Sequence, residues 1–169
     1  RQAQARGEPS KLHSVFVSGY VLTLTDEVLG QVRSNIGVSY AFYDEGAYRN
    51  ELANGDMRRA PEALRVVNLG RDADRPGLTE VELGRYYGDL ADRSLRVVHN
   101  ERILHPFQPY MPEATANQLA FFEKVFEMDF SLAHDDQVWY WKELLGAICM
   151  IAAFSALLLT SQVDSIMPK

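Results

Sequence analysis

The chain has 169 residues, of which 47% are hydrophobic and 24% charged, with a formal net charge of −6. This composition is ordinary for a globular protein and excludes a disordered chain. The acidic balance argues against a nucleic-acid-binding protein, because clustered Lys and Arg supply most of that affinity. The lone cysteine, Cys149, allows no disulfide within the chain, so the compartment stays open. The chain begins at Arg1 without a methionine, which suggests a piece of something longer.

The first third of the chain contains one predicted strand and one predicted helix. Residues 1–11 are polar and predict a linker. Ser14–Gly19 (SVFVSG) is β-branched and aromatic and closes with glycine, which predicts a buried strand. Thr25 is a suitable N-cap, followed by two acids, for a helix that runs towards Ser34. The aromatic-rich stretch Asn35–Glu51 contains two glycines and fits neither a strand nor a helix clearly.

The middle of the chain alternates between predicted strands and helices. Ala63–Gly70 (ALRVVNLG) predicts a second strand, and Arg71–Gly77 (RDADRPG) predicts a loop. Thr79–Gly88 predicts a short helix with acids in its first turn, and Ser94–His99 (SLRVVH) predicts a third strand. Pro112–Met128 predicts an amphipathic helix. This alternation favours an α/β fold with a parallel sheet of about three strands and packed helices.

The C-terminal region contains an apolar run, Leu144–Ser161, without one charged side chain. Two tryptophans, a tyrosine and a lysine precede it, and these residues favour the headgroup level of a bilayer. A span needs about 20 mostly apolar residues, so Trp139–Ser161 predicts a transmembrane helix. A buried C-terminal helix of a soluble protein is the competing interpretation. The predicted organisation is a linker (1–11), a domain (12–130), a second linker (131–138), the transmembrane helix (139–161) and a tail (162–169).

Three residues with catalytic chemistry follow predicted strands. Asp72 and Asp74 come after the second predicted strand, and His105 comes after the third. The carboxyl ends of parallel strands share one edge of a sheet, where ligand-binding and catalytic groups gather. An acid that accepts a hydrogen bond from an imidazole can orient it as a general base. The alternatives stay open: RDADR also fits a solvated, charge-paired loop, and His105 also fits an ordinary surface histidine.

The remaining motifs indicate no cofactor. The other histidines lack the spacing of a metal site, and the glycines do not form a phosphate-binding motif. Tyr40, Tyr43, Asp44 and Glu45 are candidates to line a pocket, although aromatic clusters are more common in cores. A serine hydrolase of this architecture should carry GxSxG before its acid, and the 169 residues contain none. The nucleophile is therefore missing from these residues.

Several segments together resemble one family. The order strand, DAD loop, strand, HPF loop and amphipathic helix resembles the C-terminal half of an α/β hydrolase. DDQVWYWKELLGAI resembles the junction of bacterial membrane-anchored α/β hydrolases, where transmembrane helices follow the hydrolase domain. Arg33–Glu45 (RSNIGVSYAFYDE) and Ile103–Tyr110 (ILHPFQPY) also resemble segments of that family, so that the resemblance covers roughly Lys11 to Thr160.

The resemblance implies a serine-type hydrolase of esters or related substrates, with His105 as the base. It implies Asp72 or Asp74 as the acid, with a slight preference for Asp72 because of its distance from Pro76. The half of the fold that carries the nucleophile and the oxyanion hole has no counterpart in these residues. Two functions follow as hypotheses: the acid–histidine half of a membrane-tethered serine hydrolase, or an inactive accessory subunit of a membrane complex. Both predict contact with membrane lipid, and with a partner chain or the missing half along Ser14–Gly19.

Overall fold

The computed structural model describes residues 11–19, 24–69 and 77–166, which form two units, Arg1–Asp135 and Asp136–Lys169. The described part of the first unit contains three strands, three α-helices and two 3-10 helices, and the second contains one α-helix. In chain order these are β1 (Ser14–Ser18), α1 (Asp26–Leu29), β2 (Asn35–Ala41), the 3-10 helix Ala47–Arg49, α2 (Pro61–Asn68), β3 (Arg96–Glu101), the 3-10 helix His105–Tyr110, α3 (Pro112–Val125) and α4 (Val138–Ile166).

The three strands form one parallel sheet in the order β1-β2-β3. The central strand β2 is buried along all seven residues, as expected for a parallel strand covered on both faces. In the register of the sheet, Val38 lies opposite Val17 of β1 and Val98 of β3. The α/β architecture with a three-stranded parallel sheet is confirmed, as are the predicted first and third strands.

Side chains of the sheet alternate between two helix layers. Ile36, Val38 and Tyr40 of β2 belong to a buried cluster that includes residues of α1 and α2. On the other face, Val97 of β3 packs in a second cluster with Phe121 of α3. This period of two is the normal consequence of strand geometry, and it places helices on both faces of the sheet.

The second predicted strand, Ala63–Gly70, is wrong in the described residues, which form helix α2 instead. Pro61 stands in the first turn, where its fixed φ favours a helix and its missing N–H costs nothing. Ala63, Val66 and Val67 are buried together, which is the spacing of one helical face and not of a strand. The middle strand of the sheet is β2, in the stretch that the sequence pattern left unassigned.

The predicted helix Thr79–Gly88 is also wrong, because the segment covers the outer edge of β3 in turns and a short bridge. Gly84 donates its N–H to Val98 O (2.9 Å), and Tyr87 exchanges two backbone hydrogen bonds with Arg96 (2.8 and 2.7 Å). Gly84 and Gly88 have φ values of +75° and +81°, in the left-handed region that glycine tolerates best. The outer edge of β3 is thereby paired, whereas that of β1 pairs with no strand in the described part of the chain.

The other two helix predictions for the first unit are confirmed. Thr25 caps α1, and its hydroxyl oxygen accepts the Val28 N–H at 3.3 Å, although α1 ends at Leu29, well before Ser34. The amphipathic α3 starts at Pro112 and buries Ala114, Phe121 and Val125.

The second unit is described by α4, of which Val138–Thr160 is long and apolar enough to cross a membrane. Its 23 residues span about 35 Å at 1.5 Å each, against a hydrocarbon core of about 30 Å. None of this stretch is buried within the structure, so it does not form the core of a folded unit. The length and composition agree with the predicted transmembrane segment.

Candidate active site

The loops that follow β2 and β3 place a carboxylate beside an imidazole at the carboxyl ends of the strands. Asp44 lies shortly after the end of β2, and His105 begins the 3-10 helix after β3. The Nδ1 atom of His105 lies 3.2 Å from Oδ2 of Asp44. The acid partner of His105 is therefore a residue from the stretch that was considered only as a candidate pocket lining.

Hydrogen bonds that do not involve the imidazole also hold Asp44 in place. The second carboxylate oxygen of Asp44, Oδ1, accepts a hydrogen bond from the Gly46 N–H at 2.7 Å. The backbone N–H of Asp44 donates to Ala41 O at 3.1 Å. The Asp44 side chain is 13% exposed, whereas the His105 side chain is 50% exposed. The fixed, largely buried member of the pair is the acid, and the imidazole faces outwards.

The loop that follows β1 also reaches this site through Gly19. A Cβ built on Gly19 would lie 1.9 Å from Cε1 and 2.1 Å from Nδ1 of His105. Its φ of +76° lies in the left-handed region, and its N–H donates to Ser39 O at 2.9 Å. Any side chain here would displace the imidazole, so the carboxyl ends of all three strands contribute to the site.

A buried polar network attaches the His105 helix to the sheet. Gln108, one turn after His105, donates from Nε2 to the Ser39 hydroxyl at 2.7 Å and to Ser39 O at 3.2 Å. The Ser39 hydroxyl donates to Oε2 of Glu101 at 2.7 Å. Oε1 of Glu101 accepts a hydrogen bond from Asn117 of α3 at 2.9 Å. Since Ser39, Glu101 and Gln108 are each at most 3% exposed, the network is shielded from water and fixes the helix that carries His105.

Of the three predicted site residues, the structure describes one. His105 lies at the carboxyl edge of the sheet, as predicted. Asp72 and Asp74 lie outside the described residues. They follow α2 and not the predicted strand, so the argument from strand order no longer applies to them, and their role as the acid stays a prediction. The prediction looked for an acid after the strand that precedes β3. Once β2 is recognised as that strand, the same rule identifies Asp44.

The other histidines differ from His105 in their surroundings. His99 of β3 is largely buried, and burial lowers its pKa to about 4, so it stays neutral near pH 7. His13 bonds its neighbour Ser14 and stacks on Phe126. His134 lies 2.7 Å from the Glu123 carboxylate, at the end of α3. No cluster of three or more metal-ligating side chains occurs in the described residues.

The arrangement is suited to proton transfer. If Nδ1 of His105 carries a proton, it donates to Asp44, and Nε2 on the exposed side can take a proton from a nucleophile. The Ser39 hydroxyl is already engaged by Glu101 and Gln108, so it is not available as that nucleophile. Comparison with known protein families, curated proteins and solved structures gave no match for this chain.

Proposed function

We propose that this chain is a membrane-tethered α/β-hydrolase-like module. In this proposal it supplies the acid and the histidine of a serine hydrolase whose nucleophile lies outside these 169 residues. Asp44 is the acid and His105 is the general base. The proposal is supported above all by one observation, the Asp44–His105 contact of 3.2 Å between the loops that follow two neighbouring parallel strands.

The roles follow from the geometry of the pair. The Asp44 carboxylate orients the imidazole and stabilises the imidazolium that forms when His105 takes a proton from the nucleophile. His105 then returns this proton to the leaving group of the ester. The 50% exposure of His105 leaves room for both a nucleophile and a substrate on its outer side.

The proposed partner is the polypeptide that carries the nucleophile, and we place it along the edge of β1 that no strand of the described residues pairs, here called the open edge. That edge lies next to the Gly19 loop, which touches His105. An unpaired parallel edge presents a row of free N–H and C=O groups to a further strand. The outer edge of β3 is already paired by the Gly84–Tyr87 segment, so β1 is the better position.

The proposed location is a membrane, with Val138–Thr160 as a single span within this segment. Aromatic residues at the start of α4, including Trp139 and Trp141, suit the interface between lipid and water.

A second function, an inactive accessory subunit of a membrane complex, is favoured by the same open edge of β1. In this case the sheet would serve as a packing platform, and the pair would have no chemical role. The two functions differ in what they require of His105, because only the hydrolase needs its imidazole.

The test is labelling with a serine-reactive fluorophosphonate. The probe is applied to the chain purified from the membrane, either as part of a longer polypeptide or together with the polypeptides that copurify with it. We expect labelling of a serine outside residues 1–169, and a labelling rate about 100-fold lower or less in His105→Ala. Phe126→Ala, an exposed aromatic substitution at the far end of α3, should label at the normal rate. Labelling unaffected by His105→Ala, or no labelled serine, would contradict the hydrolase and favour the accessory subunit.

A further inference from the structure

One buried side chain attaches the 3-10 helix His105–Tyr110 to the sheet. Gln108 is 3% exposed, whereas the other five side chains of this helix are exposed. Pro106 and Pro109 have no N–H, so the helix has few backbone donors with which to bind its surroundings, and their fixed φ stiffens it. The position of His105 therefore follows from the anchor at Gln108, about 6 Å away along the helix axis.

The anchor is also linked to the imidazole through Ser39. The Ser39 carbonyl oxygen accepts two hydrogen bonds, one from Nε2 of Gln108 at 3.2 Å and one from the Gly19 N–H at 2.9 Å. Gly19 is the residue on which any added side chain would overlap the His105 ring. One carbonyl group thus holds both the helix that carries His105 and the loop that lies against the imidazole.

The side-chain amide of Gln108 has a partner at only one of its two ends. Because the Ser39 carbonyl oxygen can only accept, the atom that faces it must be Nε2. The Oε1 atom of Gln108 is buried and accepts no hydrogen bond from the described residues. A buried acceptor without a partner destabilises the folded state, whereas an apolar side chain in its place does not. The geometry that Nε2 imposes therefore explains a glutamine here better than core stability does.

We propose that Gln108 is a positioning residue, which holds the imidazole of His105 against Asp44 at a cost in stability. This rests on the proposed function of that pair. Nε2 of Gln108 fixes the helix, and the same Ser39 carbonyl fixes the Gly19 loop, so that Nδ1 of His105 stays 3.2 Å from the carboxylate. Gln108 is buried beneath the helix and acts through His105, not on the reacting groups.

Asn117 offers a matched control within the same buried polar network. Gln108 and Asn117 each donate from a side-chain amide, to Ser39 and to Glu101 respectively. Gln108→Leu removes the amide whose oxygen is unpaired, and Ser39 keeps its hydrogen bonds to Gly19 and Glu101. Asn117→Leu instead removes a donor from the buried Glu101 carboxylate. The first substitution should release His105 without lowering stability, and the second should lower stability without releasing His105.

The test is NMR of the full chain in lipid nanodiscs, with the exchange of the His105 Nδ1–H reporting position and that of the β2 amides reporting stability. In Gln108→Leu we expect the Nδ1–H to exchange with water about tenfold faster than in the wild type. The β2 amides should exchange as slowly as in the wild type, or more slowly. In Asn117→Leu the β2 amides should exchange about tenfold faster, with the Nδ1–H unchanged.

Equal changes of the His105 signal in the two variants, or no change in Gln108→Leu, would overturn the positioning role. Gln108→Met, an unbranched side chain of similar length without a donor, should repeat the result of Gln108→Leu and keeps the test decisive if leucine does not fit. The NMR experiment needs no nucleophile, so its outcome is separate from the labelling of the wild type by fluorophosphonate. If the wild type is labelled, Gln108→Leu should be labelled about tenfold more slowly or less, and an unchanged rate would also overturn the proposal.

Discussion

Two carboxylate–imidazole pairs in this molecule look alike in local chemistry and differ in their place in the fold. In both, one carboxylate oxygen accepts a backbone N–H at 2.7 Å, from Gly46 in one pair and from Phe130 in the other. The other oxygen meets an imidazole, Asp44 with His105 at 3.2 Å and Glu123 with His134 at 2.7 Å. The shorter contact joins a residue near the end of α3 to the loop that follows it, whereas the longer one joins segments that follow two neighbouring strands.

The difference teaches that the position of such a pair matters more than its distance. The Asp44 carboxylate engages Nδ1, so that Nε2, the nitrogen farther from the main chain, lies on the side that can meet another group. The Glu123 carboxylate engages Nε2 of His134, the outer nitrogen, which ties the loop to α3. The proposed chemistry therefore concerns the first pair, whereas the second pair connects a loop to α3.

The largest expected effect separates the two pairs by activity. In the proposed hydrolase, Asp44→Asn should lower esterase activity by about 10⁴-fold, because the imidazole loses its tautomer and orientation. Glu123→Gln should leave that activity within about twofold of the wild type, since its partner lies outside the site. Steady-state kinetics on the membrane-extracted assembly would check both.

The same assay distinguishes Asp44 from the acids expected from the sequence. Asp72→Asn and Asp74→Asn should retain activity. A loss of activity in either of them, with normal activity in Asp44→Asn, would identify Asp72 or Asp74 as the acid.

The buried network beneath His105 should contribute strongly to stability. Glu101→Leu leaves the Ser39 hydroxyl and the Asn117 amide without their acceptor, so we expect the free energy of unfolding to fall by about 2–4 kcal/mol. Native-state hydrogen exchange of the β2 amides would measure this. Glu82→Leu breaks an exposed ion pair with Arg85 and should leave the free energy of unfolding nearly unchanged. Equal losses in the two variants would show that the network adds nothing.

His99 is largely buried, without a carboxylate partner among the described residues, and this burial lowers its pKa. The pKa of His99 falls to about 4 in the folded state, against 6.5 in the unfolded state. The unfolded state therefore binds more protons between pH 6.5 and 4, so stability is full above pH 6.5 and declines as the pH falls. We expect a loss of about 2 kcal/mol between pH 7 and pH 5. His99→Leu should remove most of this slope in urea titrations, and an unchanged slope would exclude His99 as its source.

The smallest expected effect concerns the stability of the loop after α3, which Glu123 connects to the helix through His134 and the Phe130 N–H. The Phe130 N–H lowers the pKa of the Glu123 carboxyl, together with His134, so this contribution is present at neutral pH and is lost as acid protonates Glu123. Glu123→Gln should raise the exchange rate of the Phe130 amide on the order of tenfold. The β2 amides should be unaffected, and protection of Phe130 that survives the substitution would mean that other contacts hold the loop.

Elements with a regular local pattern could be predicted from the sequence, whereas the acid that pairs with His105 could not. Period and composition correctly predicted β1, β3, α3 and the apolar helix, because each has a regular pattern over its own length. His105 was predicted because it follows β3 by a short loop. Asp44 could not be paired with it, because Asn35–Ala41 is buried on both faces and therefore lacks the alternation that marks a strand. Misassigning Val66–Val67 to a strand directed the expected acid to the residues that follow α2.

The contacts that hold His105 in place are long-range and leave no local pattern. Ser39, Glu101 and Gln108 form their network across two strands and a 3-10 helix, and no spacing in the sequence predicts it. Gly19 contacts the imidazole only because β1 and β3 are brought to the same edge. Such features follow from tertiary structure and become visible only there.

The Asp44–His105 contact is tested most directly by ¹⁵N NMR of the His105 ring in the full chain. We predict a proton on Nδ1 that is hydrogen-bonded to Asp44, with a downfield proton signal that is lost in Asp44→Asn and in Gly19→Ala. It should persist in Glu123→Gln. A neutral ring with its proton on Nε2, or a signal indifferent to Asp44→Asn, would contradict the pairing on which the proposed chemistry depends.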